Sequence, residues 1–354
     1  MAIDWTRGYS ATFRLYEVNP DTWADAGRLY GAASASVERT DDGDAPELES
    51  SSIEIDTEVG AEFRERLLRL VMIAEQDGAR ERVDICTERY AVTSGKTQRG
   101  YRTRSLRGRS VLHAAATSTT SMVYGPYVPA GSEGALEVAR MLRAAGVGIV
   151  NVESSFLLDE PYVFDRSENV LKSAWAILKA GGHRIRIDGR GTVTVLQRAE
   201  SGSEPALDIS GDLVRLVIPG IGDELDWSDV PNRYIAVDGS EVATVVNDDP
   251  LSLTSTVARG HYVDSYDSSP IRINGESLEA YAARRLAEES VAKDSRDIER
   301  EWWPNVYPGD IVRASLPRDG MQGEFRVRRQ SLKCGAGIVV TERSEREVAA
   351  WPIT

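Results

Sequence analysis

The spacing of apolar residues changes twice along this sequence of 354 residues, and that change restricts the possible folds more than any other feature. Segments towards both ends alternate apolar and polar residues, as in "YSATFRLYEV" and "DIVRASLP", which is typical of half-buried strands. Between about residues 130 and 180 the apolar spacing becomes three to four residues, which is typical of helices. The order β, α+β, β therefore predicts a mainly β protein with an α+β portion in the middle.

The first third contains an apolar stretch whose pattern suits either a helix or a buried strand, residues 64–92. Asp77-Gly78 in its middle favours a hairpin, because this pair accepts the positive φ that tight turns need. A short strand is predicted at Ile53–Asp56. The polar, acidic stretch 38–52 that leads into that strand is predicted to be a loop.

The middle third predicts two helices followed by a hairpin. The first helix has Ser132 as its candidate N-cap and ends near Gly146, and the second ends at Gly181-Gly182. Asp165 and Glu168 have the spacing of a capping box for the second helix. In the hairpin, Ile185 and Ile187 are predicted to face Val195 and Val193 across a turn at residues 188–191.

The last third returns to strand patterns with one helix among them. We predict this helix at residues 277–300, with Ser277 as its N-cap and Leu278, Tyr281, Ala282 and Leu286 on its buried face. Its outer surface offers pairs at i,i+4 spacing, which are Arg284 with Glu288, Arg285 with Glu289 and Glu289 with Lys293.

Charge and composition exclude several classes of protein. The net charge of −14 argues against a nucleic-acid clamp, which needs a basic surface. Neither an apolar run of membrane-spanning length nor a signal-peptide pattern is present, so we expect no membrane span and synthesis in the cytoplasm. Cys86 and Cys334 match no metal-binding spacing and are predicted to be buried or partly buried thiols.

Patterns that carry chemistry are weak in this sequence. His113, His183 and His261 are in no metal-ligand spacing, and no phosphate-binding loop or nucleophile motif occurs. The acidic cluster at residues 223–229 has enough carboxylates for a glycosidase, but any acidic loop provides such a cluster. We therefore predict no enzyme activity and no catalytic, cofactor or metal residues.

The most distinctive stretch is "WWPNVYPGDIVRAS", residues 302–315, where two tryptophans and a Pro-Gly-Asp turn precede an alternating strand. Tryptophan has a large apolar surface and one polar group, so the pair more often anchors a fold or an interface than it stacks on a sugar or base. We predict that Trp302, Trp303 and Tyr307 contribute to an interface.

The order of three motifs resembles the hub proteins of phage tail tips and baseplates, which also occur in contractile injection systems. These motifs are the helix "SLEAYAARRLAEE" followed by "VYPGDIVRASLP", the strands "GEFRVRRQSLKCGAGIVVTERSE", and the hairpin "IRIDGRGTVTV". The segment "LRGRSVLHAA" is similar to the one that closes the first domain of many hubs. The N-terminal third matches in strand pattern alone.

The resemblance implies a fold of two tail-tube-like β-barrel domains, residues 1–115 and 201–354, joined by a small α+β domain, residues 116–200. The helix at 277–300 would lie in or beside the second barrel. It implies no catalytic residues and no cofactor.

The resemblance also implies a homotrimer in the virion tail that forms a pseudo-hexameric ring. Its expected partners are a distal tail protein or the tail tube above, a spike, fibre or tip protein below, the tape measure protein, and genomic DNA that passes without sequence-specific binding. The alternatives from other classes are a tail-associated cell-wall hydrolase and a receptor-binding or carbohydrate-binding tail module.

Overall fold

A computed structural model describes residues 2–41, 50–58, 65–98, 101–158, 161–200, 202–268, 270, 276–349 and 351. The strands of the first half are β1 (Ser10–Val18), β2 (Asp25–Thr40), β3 (Ser50–Glu58), β4 (Arg66–Gln76), β5 (Ala79–Gln98), β6 (Tyr101–Arg109), β7 (Tyr127–Val128), β8 (Val150–Val152) and β9 (Tyr162–Val163). Those of the second half are β10 (His183–Ile187), β11 (Val193–Gln197), β12 (Leu207–Ile209), β13 (Val217–Asp226), β14 (Arg233–Asp238), β15 (Glu241–Val246), β16 (Asp264–Asp267), β17 (Val291–Glu301), β18 (Ile311–Leu316), β19 (Met321–Cys334) and β20 (Ile338–Ala349). The helices are α1 (His113–Thr117), α2 (Thr120–Val123), α3 (Gly134–Ala144), α4 (Val170–Ala180), α5 (Thr256–Arg259) and α6 (Leu278–Glu289), with 3-10 turns at Gly211–Leu216 and Pro317–Asp319.

The chain divides into two compact units. The first unit comprises Met1–Gly220 and Ile298–Ser344, and the second comprises Ile221–Asp297 and Glu345–Thr354. The element content confirms the prediction of a mainly β protein with α+β parts. Within the described residues, no helix is long and apolar enough to cross a lipid bilayer.

Six strands of the first unit pair in the order β1-β4-β5-β6-β3-β2, and β1 also pairs with β2. The β1–β2 ladder is irregular, with register shifts after Arg14 and Glu17. One side of these strands carries fully buried apolar residues, among them Leu15, Val37, Ile53, Leu70 and Leu106. Alternation along each strand places every second side chain on that side, so the period-two pattern produces one common core.

The hairpin predicted at Asp77-Gly78 is confirmed. Gln76 pairs with Ala79, and the two turn residues have φ of 49° and 82°. The prediction of a loop at 38–52 is wrong at both ends of that stretch. Its first residues belong to β2 and its last to β3, and Glu38 pairs with Ser50 between these two strands. The part at residues 42–49 lies outside the described residues.

The middle of the chain packs α3 and α4 with the three-stranded sheet β10-β11-β8. The predicted hairpin register is confirmed, since Ile185 pairs with Val195 and Ile187 with Val193. Both predicted N-caps are wrong, because each helix begins later in the sequence. α3 begins after Glu133, and no side chain caps it. Instead, the amide of Gly134 in its first turn donates a hydrogen bond to the carbonyl of Phe156 at 2.8 Å. α4 is capped by Asn169, whose Oδ1 accepts from the amide of Lys172 at 2.9 Å.

The second unit contains the sheet β15-β14-β16, with α6 on one of its faces. Ser277 caps α6 as predicted, since its Oγ accepts from the amide of Ala280 at 3.1 Å. The predicted helix at 277–300 is wrong beyond Glu289, because residues 291–301 form β17 and alternate between buried and exposed positions. Lys293 therefore lies in a strand, where the i,i+4 spacing that predicted its ion pair with Glu289 does not apply. Glu289 pairs with Arg285 at 2.6 Å.

Candidate interface site

The three predicted interface residues lie in the loop between β17 and β18, but they occupy different environments. Trp302 is buried, with its ring edge-on to Trp5 at 5.0 Å between centroids. Its amide donates to the carbonyl of Ile338 at 3.1 Å. Trp302 is therefore an anchor within its own core, as expected for a large aromatic side chain with this much apolar surface.

Trp303 and Tyr307 are half-buried and reach the surface. Trp303 packs against the same core as Trp302. The ring of Tyr307 has the guanidinium carbon of Arg39 at 5.1 Å and that of Arg186 at 6.0 Å from its centroid. An interface role for these residues stays a prediction.

The Pro-Gly-Asp turn in the same loop directs the chain into β18. Gly309 has φ of +85°, and its amide donates to the carbonyl of Val327 at 2.6 Å. The amide of Val327 donates in return to the carbonyl of Asp310 at 2.9 Å. The carboxylate of Asp310 accepts from the amide of Tyr307 at 2.9 Å, so the turn is closed from both sides.

A buried arginine from the middle of the chain holds this turn. Arg184 of β10 is 2% exposed, and its guanidinium donates to the carbonyl of Pro308 and to the carboxylate of Asp310, both at 2.5 Å. Sequence reasoning missed this residue. One feature of the sequence could have indicated it. In "HRIRI" Arg184 precedes Ile185, so strand alternation places Arg184 on the side of the predicted hairpin opposite the isoleucines.

A cleft of about 300 Å³ opens beside the loop. It is lined by Arg39, residues 81–85, residues 188–190, Trp302 and residues 304–307. Charges on its walls compensate one another, since Asp84 pairs with Arg82 at 2.8 Å and with Arg190 at 3.0 Å.

The residues that carried the weaker chemical hypotheses are dispersed. Asp223 and Asp226 are exposed, and the carboxylate of Asp226 accepts from Ser228, which lowers the pKa of Asp226. His183 is buried, with Nδ1 donating to the carbonyl of Gly181 at 2.6 Å and Nε2 accepting from Ser154 at 3.1 Å. Across the described residues, no group of three or more His, Cys, Asp or Glu side chains is arranged to hold a metal ion.

Both cysteines are buried free thiols, as predicted. Burial raises the pKa of the Cys334 thiol to about 12. A protonated thiol is a poor nucleophile, so Cys334 has the character of a small apolar core residue.

Comparison with solved structures identifies proteins of the same fold. A tail protein from Neisseria meningitidis MC58 superposes with a TM-score of 0.64 at 15% identity, over 96% of this chain and 97% of that one. The 43 kDa tail protein of prophage MuSo2 from Shewanella oneidensis gives 0.61 at 10% identity, over 94% and 97%. An Escherichia coli protein, described as a type VI secretion component structurally similar to the T4 tail proteins gp27 and gp5, gives 0.50 at 12% identity, over 90% and 75%.

Sequence comparison adds nothing to this likeness. No protein-family model matches the chain, and no curated protein sequence matches it either. The chain therefore shares its fold with two tail proteins, one of them from a prophage, at sequence identities of 10 to 15%.

Proposed function

We propose that this protein is a structural hub of a phage tail tip or baseplate. Three copies form a pseudo-hexameric ring that joins a sixfold tail tube, or a distal tail protein, to a threefold spike, fibre or tip protein. The observation that carries the proposal is the shared fold with two tail proteins, one of them from a prophage, over at least 94% of each chain.

The pairing of the strands supports the tube-like part of the proposal. β1 pairs with β4 and, irregularly, with β2, and a barrel domain would need a pairing of this kind. The proposed second barrel uses β strands from residues 201–354, and the α+β part at residues 116–200 connects the two. Closed barrels in the proposed ring would leave no exposed strand edges, which suits a component that must not aggregate.

The proposed role is mechanical. The ring lies in the virion tail, it contacts the tape measure protein during assembly, and genomic DNA passes through its lumen during ejection. A net charge of −14 is compatible with this passage, because carboxylates near the lumen repel phosphate. Synthesis would take place in the host cytoplasm before assembly.

A cryo-electron reconstruction of the particle that carries this chain tests the proposal. We expect three copies around an axial channel, directly below a sixfold tube. One copy per particle, or many copies on peripheral fibres, would contradict the hub and favour a cell-wall hydrolase or a receptor-binding module.

A further inference from the structure

The segment between β15 and β16 has its apolar side chains on the outside and its polar side chains on the inside. Leu251, Leu253, Val257 and Tyr262 are between 55% and 76% exposed. Ser252 and Thr254, which alternate with the two leucines, are at most 1% exposed. This inversion opposes the usual partition of side chains between core and solvent.

Hydrogen bonds hold the inverted segment in place. The Nδ2 group of Asn232 donates to the carbonyls of Thr254 and His261, both at 3.0 Å. The Nδ2 group of Asn247 donates to the Oγ of Ser252 at 3.0 Å, and all of these polar side chains are fully buried. Ser255 caps the short helix α5. The exposed leucines are therefore displayed by a satisfied polar network, not by a loosely held loop.

The same apolar character continues on the open face of the neighbouring sheet. α6 covers the side of the sheet that carries Tyr234, Ala236 and Ala243. The opposite side carries Tyr266 and Val242, which are 63% and 62% exposed. Arg233 lies on this side too, and its guanidinium carbon is 4.0 Å from the centroid of the Tyr262 ring, which joins the loop to the sheet face. We call this surface the acidic-apolar face, after its apolar residues and the acidic unit that carries them. It consists of Val242, Leu251, Leu253, Val257, Tyr262 and Tyr266.

The unit that carries this face is acidic. Residues 221–297 contain sixteen Asp and Glu against seven Lys and Arg, a net charge of −9 out of −14 for the whole chain. Asp248, which lies in the same segment as Leu251, is exposed. The charge of the unit therefore favours a partner that combines apolar contact with positive charge.

The first unit offers such a surface on the exposed side of β5 and β6. Arg89 and Arg109 are direct cross-strand neighbours, and Arg107 follows in the next outward position opposite Ala91. All three arginines are exposed, and none forms an ion pair with any residue that the structure describes. Like charges directly opposite each other in a ladder are destabilising, so this arrangement favours an anionic partner. We call Arg89, Arg107 and Arg109 the arginine face.

We propose that the acidic-apolar face of one copy binds the arginine face of the next copy, so that the chain assembles head to tail. This inference rests on the proposed function, because it supplies the contact that would join the copies of the ring. Guanidinium groups stack on tyrosine rings and are weakly hydrated, which suits contact with Tyr262 and Tyr266. The aliphatic parts of the arginines cover apolar neighbours such as Leu251 and Leu253.

Charge disfavours the simpler symmetric contact. Two acidic units would repel each other, and so would two arginine faces. A contact between unlike faces is heterologous, and such contacts close into rings when the rotation between copies allows it.

Two variants and their mixture test the proposal. The first variant is Leu251→Ser/Leu253→Ser, and the second is Arg107→Glu/Arg109→Glu. Light scattering after size exclusion should give a trimer for the wild-type chain and a monomer for each variant alone. A mixture of the two variants should form a 1:1 dimer and nothing larger, because each variant retains the face that the other lacks. Raising the salt concentration should dissociate the wild-type ring.

Matched controls are Leu157→Ser and Arg318→Glu, which change an exposed leucine and an exposed arginine outside both faces. Both controls should remain trimeric. Trimers from both test variants would overturn the proposal while leaving the hub function to the cryo-electron reconstruction. A wild-type chain that stays monomeric would also overturn it, again without deciding the hub function.

Two further results would overturn the arginine half of the contact. A lower melting temperature of the Arg107→Glu/Arg109→Glu chain with intact assembly would show that these arginines are paired within one copy. Loss of binding to a short DNA duplex, again with intact assembly, would assign the arginines to contact with nucleic acid.

Discussion

At the scale of single residues, the Pro-Gly-Asp turn depends on one buried charge pair. Arg184 and Asp310 are 126 positions apart in the sequence, and their side chains are 2% and 12% exposed. A buried pair is weak evidence of net stabilisation, but removal of one partner leaves the other charge uncompensated in the interior. The pair therefore contributes mainly by defining one position for the turn.

Gly309→Ala should destabilise this turn more than a typical substitution. The residue has φ of +85°, and an added Cβ would lie 2.2 Å from Nη1 of Arg184 and 2.5 Å from Oδ2 of Asp41. We expect the free energy of unfolding in urea to fall by at least about 2 kcal/mol. Gly335→Ala is the control, because no atom lies within 4 Å of its Cβ position, and it should stay within about 0.5 kcal/mol of wild type. Equal losses for both variants would contradict this account of the turn.

Substitution of each of the two adjacent tryptophans should distinguish an effect on folding from an effect on assembly. Trp302→Ala removes a buried side chain and should cost about 3–5 kcal/mol of stability. Trp303→Ala removes a half-buried one and should cost about 1–2 kcal/mol, while ring assembly weakens if Trp303 lies in an interface. Urea unfolding and sedimentation velocity measure the two effects. Normal assembly of Trp303→Ala would remove that residue from the interface.

At the scale of elements, the turn between β1 and β2 joins the strands of the first unit to its α+β layer. Trp23 has φ of 57°, and its ring lies against Gly148 and Gly191. Arg69 of β4 strengthens the joint, because its guanidinium pairs with Asp25 at 2.6 Å and donates to the carbonyl of Trp23 at 3.1 Å. Glycine is required at position 148 for space, since a Cβ there would lie 2.1 Å from the indole.

A double-mutant cycle tests this joint. Gly148→Ala should cost about 1–3 kcal/mol of unfolding free energy, because the added methyl group displaces the indole ring. In a Trp23→Ala background the same substitution should be nearly neutral, which gives a coupling energy that identifies the contact. Gly27→Ala, with open space around its Cβ position, is the control. Additive effects of the two changes would exclude the proposed joint.

At the scale of the whole molecule, the two units have separate cores. The core of the second unit is formed by residues of β14, β15 and α6, and the first unit has its own apolar clusters. Most of the net negative charge belongs to the second unit. A stable apolar core in each unit allows each to unfold as its own cooperative transition.

Differential scanning calorimetry should therefore resolve two transitions. Leu286→Ala, in the core of the second unit, should lower one transition by at least roughly 10 °C, since it should cost about 2–5 kcal/mol. Leu15→Ala, in the core of the first unit, should lower the other transition. A single transition that both substitutions shift equally would show that the units unfold together.

The sequence by itself determined the features that depend on near neighbours. The Asp77-Gly78 turn, the pairing of Ile185 with Val195 and the Ser277 cap were all predictable. Each depends on residues at most ten positions apart, whose preferred backbone conformations agree with the final fold. The mainly β class followed from periodicity for the same reason.

Only the tertiary structure decided the features that depend on distant partners. The contact of Arg184 with Asp310 and the packing of Trp23 on Gly148 join residues more than 120 positions apart. The helix predicted through residue 300 ends at Glu289, because residues 291–301 are recruited into a sheet whose other strands lie far along the chain. Local propensity differs by less than about 1 kcal/mol per residue between helix and strand, so burial against a distant strand overrides it.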